Sequence, residues 1–167
     1  MMRAGIALGS NLGERRANLR AARAQIIALP KIEGPVLASS IYETEPVACA
    51  ADAGMFLNAV MEIGYAGEAI GLLQSLRDIE AGLGRPARHE RNASRTLDLD
   101  LLYFGDLVLA APALELPHPR LRARRFVLEP LAEIRPNLVL PSERECVADL
   151  LRKLPDGSPL VRMTGEW

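Results

Sequence analysis

The chain has 167 residues, enough for one domain with a sizeable core. Hydrophobic residues make up 49% and charged residues 25%, the composition of a globular chain rather than a disordered one. A formal net charge of -1 excludes a global basic field for gathering nucleic acid, and arginine replaces lysine everywhere except Lys31 and Lys153.

Ala4 to Leu8 is a short apolar run that predicts a buried first strand, ended by Gly9-Ser10-Asn11-Leu12-Gly13. Leu19, Ala22, Ile26 and Leu29 recur at helical spacing, predicting a helix over 14–29 that Pro30 stops. Val36 to Tyr42 reads as a second strand and Phe56 to Tyr65 as a third, with a loop through Thr44, Pro46 and Gly54 between them. A second long helix is expected over 68–83, with Ile70, Leu73, Leu76, Ile79, Ala81 and Leu83 as its apolar stripe and Gly82 and Gly84 at its end. An arginine-rich loop from Arg85 to Arg95 delivers a fourth strand, Thr96 to Phe104. Gly105-Asp106 then turns the chain into a fifth, Leu107 to Ala110. Helices over 125–132 and 146–154 close the sequence. The order β-α-β-β-α-β predicts an α+β, ferredoxin-like core: a mainly antiparallel sheet with helices packed on it and a C-terminal helical extension, in one domain over 1–167.

No apolar run approaches the roughly 20 residues that span a bilayer, and Asn11, Glu14, Arg15 and Arg16 cut short any signal-peptide core. A cytoplasmic location, without membrane partners, is expected. Cys49 and Cys146 lie far apart in no metal-type spacing and read as two reduced thiols.

The segment Arg95-Thr96-Leu97-Asp98-Leu99-Asp100-Leu101-Leu102 is the most informative. In a strand, Thr96, Asp98 and Asp100 share one face and the leucines the other. Carboxylates two residues apart on a strand have Cα atoms roughly 6–7 Å apart and repel by on the order of 2–3 kcal/mol at an effective dielectric near 20. A cation between them relieves that repulsion, and Mg²⁺ typically takes one or two carboxylates and completes its shell with phosphate and water. Arg85, Arg88, Arg91 and Arg95, just upstream, offer guanidinium forks for phosphate. The same residues also fit a solvated strand face beside a surface or nucleic-acid-binding loop, and the pattern by itself leaves these readings open. Gly9 to Gly13 lacks the Gly-Lys-Ser/Thr ending of a P-loop and reads as a strand-to-helix turn with a cap. His118 stands between Pro117 and Pro119, placed for either a structural or a phosphate-contacting role.

These motifs resemble the 6-hydroxymethyl-7,8-dihydropterin pyrophosphokinase family over nearly the whole chain. The resemblance rests on 8–13 (Leu8-Gly9-Ser10-Asn11-Leu12-Gly13), 39–47 (Ser39 through Tyr42-Glu43-Thr44-Glu45-Pro46-Val47), and 56–60 (Phe56-Leu57-Asn58-Ala59-Val60). It continues with 95–100, with Leu116-Pro117-His118-Pro119 and with Arg124-Arg125-Phe126-Val127-Leu128. It implies transfer of pyrophosphate from ATP to the hydroxymethyl group of the reduced pterin, with attack at the β-phosphorus and release of AMP, in folate biosynthesis. It implies two Mg²⁺ ions on Asp98 and Asp100, and a pterin recognised by Asn58 with groups near Thr44, Pro46 and Val47. Phe56 and Phe126 would sandwich the pterin ring. Glu80, Arg85, Arg95, His118 and Arg124 are implied for the nucleotide, with Arg85, Arg95, Asp98 and Asp100 as the catalytic set.

The sequence departs from the family pattern at Ala87, where a second loop arginine is usual, and at Asn92, Ala93-Ser94 and Pro119. A monomer with ATP and the pterin as small-molecule partners, and no nucleic acid, is expected. The rival readings are a phosphotransferase for another planar heterocycle and a non-catalytic ferredoxin-like RNA-binding module. The latter lacks the stacking aromatics of RNA-binding sheets.

Overall fold

Alternation along the first strand decides which way the sheet faces. In β1 (Met2–Ser10), Ala4, Ile6 and Leu8 are buried against helices, while Gly5, Ala7 and Gly9 face the opposite side. The computed structural model describes residues 1–46, 54–84, 96–155, 157, 160–165 and 167. β1 pairs antiparallel with β4 (Phe56–Tyr65) on one side and with β5 (Asp98–Phe104) on the other. β4 in turn pairs with β2 (Ile32–Ala38) and β3 (Tyr42–Thr44), and β8 (Val161–Arg162) adds beyond β3. The order β5-β1-β4-β3-β8, with β2 also on β4, is the predicted α+β, ferredoxin-like sheet with a C-terminal strand added at its edge.

α1 (Arg15–Ile27) and α2 (Ala69–Gly82) cover the face that carries Ile6, Leu8, Leu57, Met61, Ile63, Leu99 and Leu101. Each such fully buried aliphatic side chain contributes roughly 1.5–3 kcal/mol of transfer free energy. α3 (Arg125–Ile134) and α4 (Val147–Lys153) cover only part of the other face, over Val60, Leu102 and Tyr103. The register of β5 slips opposite Gly5 and Ile6, so Leu102 and Tyr103 both join this second core. The strand ends carrying Gly9, Asn58 and Asp98 extend past that core.

The structure corrects several sequence expectations. The second strand is two, β2 and β3, because the chain breaks at Ser39-Ser40-Ile41, where the Ser39 hydroxyl accepts the Val60 N–H at 3.0 Å. The fifth strand does not extend the main sheet. β6 (Leu109–Ala111) pairs instead with β7 (Leu114–Leu116) in a separate ribbon, while the outer edge of β5 receives the His118 N–H on Leu102 O at 2.8 Å. In α2 the buried stripe is Ala69, Leu72, Leu73, Leu76 and Ile79, whereas Ile70 is exposed. Thr96 precedes β5 rather than sharing its face. The turn after β1 carries no side-chain cap: Glu14 occupies the N-cap of α1 without a capping hydrogen bond.

Candidate active site

Asp98 and Asp100 lie on β5 opposite Gly9 and Ala7 of β1, and Gly9 also faces Asn58 of β4. The two carboxylates and the amide therefore sit on one face, the one α1 and α2 leave free. Asn58 and Asp98 are two strand spacings apart, roughly 10 Å between Cα atoms. With no side chain at Gly9, the Asn58 amide reaches over its backbone. A Cβ there would stand 3.1 Å from Asn58 Oδ1 and 4.0 Å from Asp98 Cβ.

Asp100 is held in a cationic corner. Arg124, the N-cap of α3, donates through Nη1 to Asp100 Oδ2 at 3.1 Å. Its guanidinium carbon also lies 5.5 Å from the Phe126 ring centroid, a cation–π distance. Burial lowers the Arg124 pKa, and the Asp100 charge opposes that shift. Nε2 of His118 lies 3.9 Å from the same carboxylate oxygen. Burial pushes the His118 pKa down, against the pull of Asp100, and Arg124 and Arg120 lower it further. Its Nδ1 accepts the Arg120 N–H at 3.1 Å, which places the proton of the neutral ring on Nε2, toward Asp100.

The other half of the site is an amide pocket. Asn58 is buried, and its Nδ2 donates to Thr44 Oγ1 at 2.7 Å, leaving Oδ1 over Gly9. Phe56 lies opposite Thr44 at the start of β4, and Phe126 is in the first turn of α3; both rings are half-buried. Pro46, also half-buried, follows β3 directly. Glu80 is buried in α2, where its Oε1 accepts the Leu99 N–H at 2.7 Å and so satisfies an outer-edge donor of the strand that carries both aspartates. Val47, Arg85 and Arg95 lie outside the described residues, as do Arg88 and Arg91.

Sequence reasoning missed the residues that anchor the entry to β5. Ser10 Oγ donates to Thr96 O at 2.6 Å, and Asn18 Nδ2 reaches Thr96 O at 3.1 Å and Leu12 O at 3.0 Å. The Gly-Ser-Asn turn thus fastens the residue just before Leu97-Asp98. The only signal for it is Asn18 at a position where a helix has no need of an amide.

The donor set suits a hard cation. Among the described residues, no three His, Cys, Asp or Glu side chains converge as a self-sufficient metal cage. Two half-buried carboxylates on one strand face match an ion that draws its remaining ligands from phosphate and water.

A family model for 7,8-dihydro-6-hydroxymethylpterin-pyrophosphokinase (HPPK) matches residues 5–136. The chain belongs to this family. It is 40% identical over 150 residues to the 2-amino-4-hydroxy-6-hydroxymethyldihydropteridine pyrophosphokinase of Pseudomonas aeruginosa, covering 90% of each chain. It is 41% identical over 152 residues to the enzyme of the same name from Methylorubrum extorquens, covering 90% of this chain and 94% of the relative. Identity to the Bacillus subtilis enzyme of that name is 44% over 132 residues, 77% of this chain and 75% of the other. Among solved structures, the wild-type HPPK-DHPS of Plasmodium falciparum with pteroate superposes with a TM-score of 0.70 at 13% identity, over 91% of this chain and 42% of that one. An HPPK-DHPS solved in complex with substrates gives a TM-score of 0.70 at 11% identity, over 90% and 43%. The chain spans less than half of these solved HPPK-DHPS chains, and at that identity the likeness carries the HPPK fold alone. No helix among the described residues is long and apolar enough to cross a membrane.

Proposed function

We propose that this HPPK-family chain transfers pyrophosphate from ATP to the hydroxymethyl group of 6-hydroxymethyl-7,8-dihydropterin, yielding AMP and the pterin diphosphate for folate biosynthesis. The observation that carries the reading is the cross-strand row Asn58, Gly9, Asp98. It brings the Asn58 amide and the Asp98–Asp100 carboxylate pair to one sheet face, which supports the reading. Family membership and the named relatives support the same reaction.

ATP is the co-substrate, and its phosphates call for a divalent metal. Asp98 and Asp100 would hold that metal, as two Mg²⁺ ions. Bound there, the metal supplies Lewis-acid stabilisation of phosphoryl charge. Arg124 and the neutral His118 border the same corner and are placed to donate to phosphate oxygens. Glu80 supports the nucleotide half from behind, by fixing Leu99. Arg85 and Arg95 join this group through the family motif.

The pterin ring stacks between Phe56 and Phe126, where offset stacking adds roughly 0.5–1.5 kcal/mol beyond burial. Asn58 reads its amide-like edge with Thr44 locking the Asn58 orientation, and Pro46 and Val47 are assigned to the pterin through the family motif. So held, the hydroxymethyl oxygen attacks the β-phosphorus. The bond between that phosphorus and the α,β-bridging oxygen breaks, AMP leaves and the hydroxyl proton is lost.

The deciding experiment incubates the protein with ATP, Mg²⁺ and the hydroxymethyl dihydropterin and separates the nucleotides. AMP formed in step with pterin diphosphate is the expected result; ADP, or no pterin-dependent nucleotide turnover, overturns the assignment.

A further inference from the structure

Glu133, near the end of α3, gathers four donors that all come from the far edge of the sheet. Its Oε2 accepts the Ser40 N–H at 2.9 Å and the Tyr42 hydroxyl at 3.0 Å. Its Oε1 accepts the Ser40 hydroxyl and an Arg162 N–H, each at 2.9 Å. Tyr42 is the β3 residue directly opposite Asn58, and Thr44 lies two residues further on. The helix that carries Glu133 also begins with Phe126 and is capped by Arg124. One carboxylate therefore ties the sheet wall of the pterin slot to its helix wall.

β3 has only three residues, and the C-terminal segment covers its outer edge. β8 pairs Arg162 with Tyr42 and Val161 with Glu43, and the Met163 N–H donates to Ile41 O at 2.8 Å. Arg162 Nε donates in addition to Ser40 Oγ at 2.8 Å, so its fork spans Ser40 and Glu133. Further along, Trp167 Nε1 donates to Ser39 O at 2.7 Å, and the Arg23 guanidinium of α1 stacks 5.3 Å from the Trp167 ring centroid. Arg16 Nη2 donates to Thr164 O at 2.9 Å. None of these groups belongs to the candidate metal corner or to the pterin contacts.

We infer that the C-terminal segment, acting through Arg162 and Glu133, is a positioning device for the pterin half of the site: it fixes β3 against α3, and with it the spacing of Thr44 and Asn58 from Phe126. The inference rests on the pyrophosphokinase reading for its substrate. Arg162 and Glu133 are positioning residues, acting through β3, and Arg162 is exposed, so its removal leaves no cavity in the core. Loss of a charge-assisted hydrogen bond here weakens substrate placement by roughly five- to tenfold.

The test compares Arg162→Ala, Arg162→Lys and Glu133→Gln with the wild type by steady-state kinetics and by hydrogen exchange. In Arg162→Ala and Glu133→Gln, the KM for the pterin is expected to rise roughly five- to tenfold, with the KM for ATP within about twofold. Arg162→Lys, which keeps one donor of the fork, should give an intermediate value. Exchange should quicken across residues 42–44 and stay unchanged across 98–104. Equal changes in both KM values, or a lowered denaturation midpoint with both KM values intact, would overturn the inference by showing a merely structural clasp. If the wild type forms no AMP, the reaction assignment is what fails. The clasp is then judged on exchange alone, and unaltered protection of 42–44 in Arg162→Ala rejects it.

Discussion

Asn58 and Asp98 stand in one cross-strand row, with only the backbone of Gly9 between them. In the proposed reading, a residue without a side chain is thus the shared floor of two chemically different half-sites. Substitution of Gly9 by Ala puts a methyl group 3.1 Å from Asn58 Oδ1, a contact tighter than ordinary packing, which pushes the amide a few tenths of an ångström off its place over the floor. Gly9→Ala is expected to fold and to lose turnover by at least about tenfold, since small misplacements at a reacting centre are costly. The expected signature in initial-rate kinetics is a higher pterin KM together with a lower kcat. Wild-type constants would show that nothing binds above Gly9.

Removing either carboxylate separates chemistry from stability. Asp98 and Asp100 are only half-buried on a strand edge, so Asp98→Ala and Asp100→Ala should shift the unfolding free energy by no more than about 1 kcal/mol. Turnover should fall by roughly 10²–10³ or more, the scale of losing a main electrostatic element of a transition state. Asp100→Ala also releases Arg124 and changes the surroundings of His118, so its nucleotide affinity should fall further than that of Asp98→Ala. Calorimetric titration with MgATP, beside an activity assay, reads both effects.

Replacing Asn58 with Ala should act on one substrate. The amide is buried and its Nδ2 is already engaged by Thr44, so what faces the slot is Oδ1. Losing that acceptor should weaken the pterin by roughly 1–2 kcal/mol, about tenfold, and leave ATP within about twofold. Leaving Thr44 Oγ1 without its partner should also cost about 1 kcal/mol of stability. Calorimetry showing equal losses for the two ligands would remove Asn58 from edge recognition.

The sheet could be read in advance because its signal is local. Ala4, Ile6 and Leu8 alternate with glycines and Ala7, and Asp98 and Asp100 alternate with leucines, so each strand announces its two faces. Which strand lies beside which carboxylate is a tertiary fact, and no spacing within β5 announces Gly9 as its neighbour or Asn58 one strand beyond. The split of the second strand depends on Ser39 bonding Val60, twenty-one residues away, and the Ser10–Thr96 tether spans eighty-six. β8 is two residues long, too short for any periodicity, and exists because β3 offers it an edge. The strand faces were legible; the struts that hold the strand ends were not, because their partners are distant in sequence.

Glu62 shows the same principle in the core. It is fully buried on β4, with Arg3 at 2.8 Å, Arg135 at 3.0 Å and the Tyr103 hydroxyl as its partners. The Tyr103 ring fills the space over Gly5, where a Cβ would come within 2.2 Å of it. Arg135 follows α3 directly, so this network pins the end of that helix to the sheet. Glu62→Ala leaves the buried phenol without an acceptor and two arginines without their anion, a loss on the order of 2–3 kcal/mol. Denaturant unfolding should show a lower midpoint with an unchanged slope, and an unshifted midpoint would mean that water replaces the carboxylate at no cost.

The Tyr42–Glu133 contact predicts an alkaline signature. The Tyr42 phenol is pushed up to about 12, first by burial and then by its hydrogen bond to Glu133 and that residue's charge; Glu129 adds to the shift and Arg162 opposes it. In the unfolded chain the same phenol titrates near 10. Between these values the unfolded chain gives up a proton that the folded chain keeps. The stabilisation is therefore complete below about pH 10 and is lost as pH rises toward 12. Tyr42→Phe lacks both the hydrogen bond and the titration. It should be less stable than wild type by about 1 kcal/mol at about pH 9, and that gap should close at about pH 10.7 and reverse by about pH 11.5. Tyr103, raised further still by burial and Glu62, is present in both proteins and cancels from the comparison. Denaturant unfolding curves at these pH values measure the gap directly. A gap that stays constant with pH would mean that the folded and unfolded chains release this proton together, and that Glu133 does not hold the Tyr42 hydroxyl in solution.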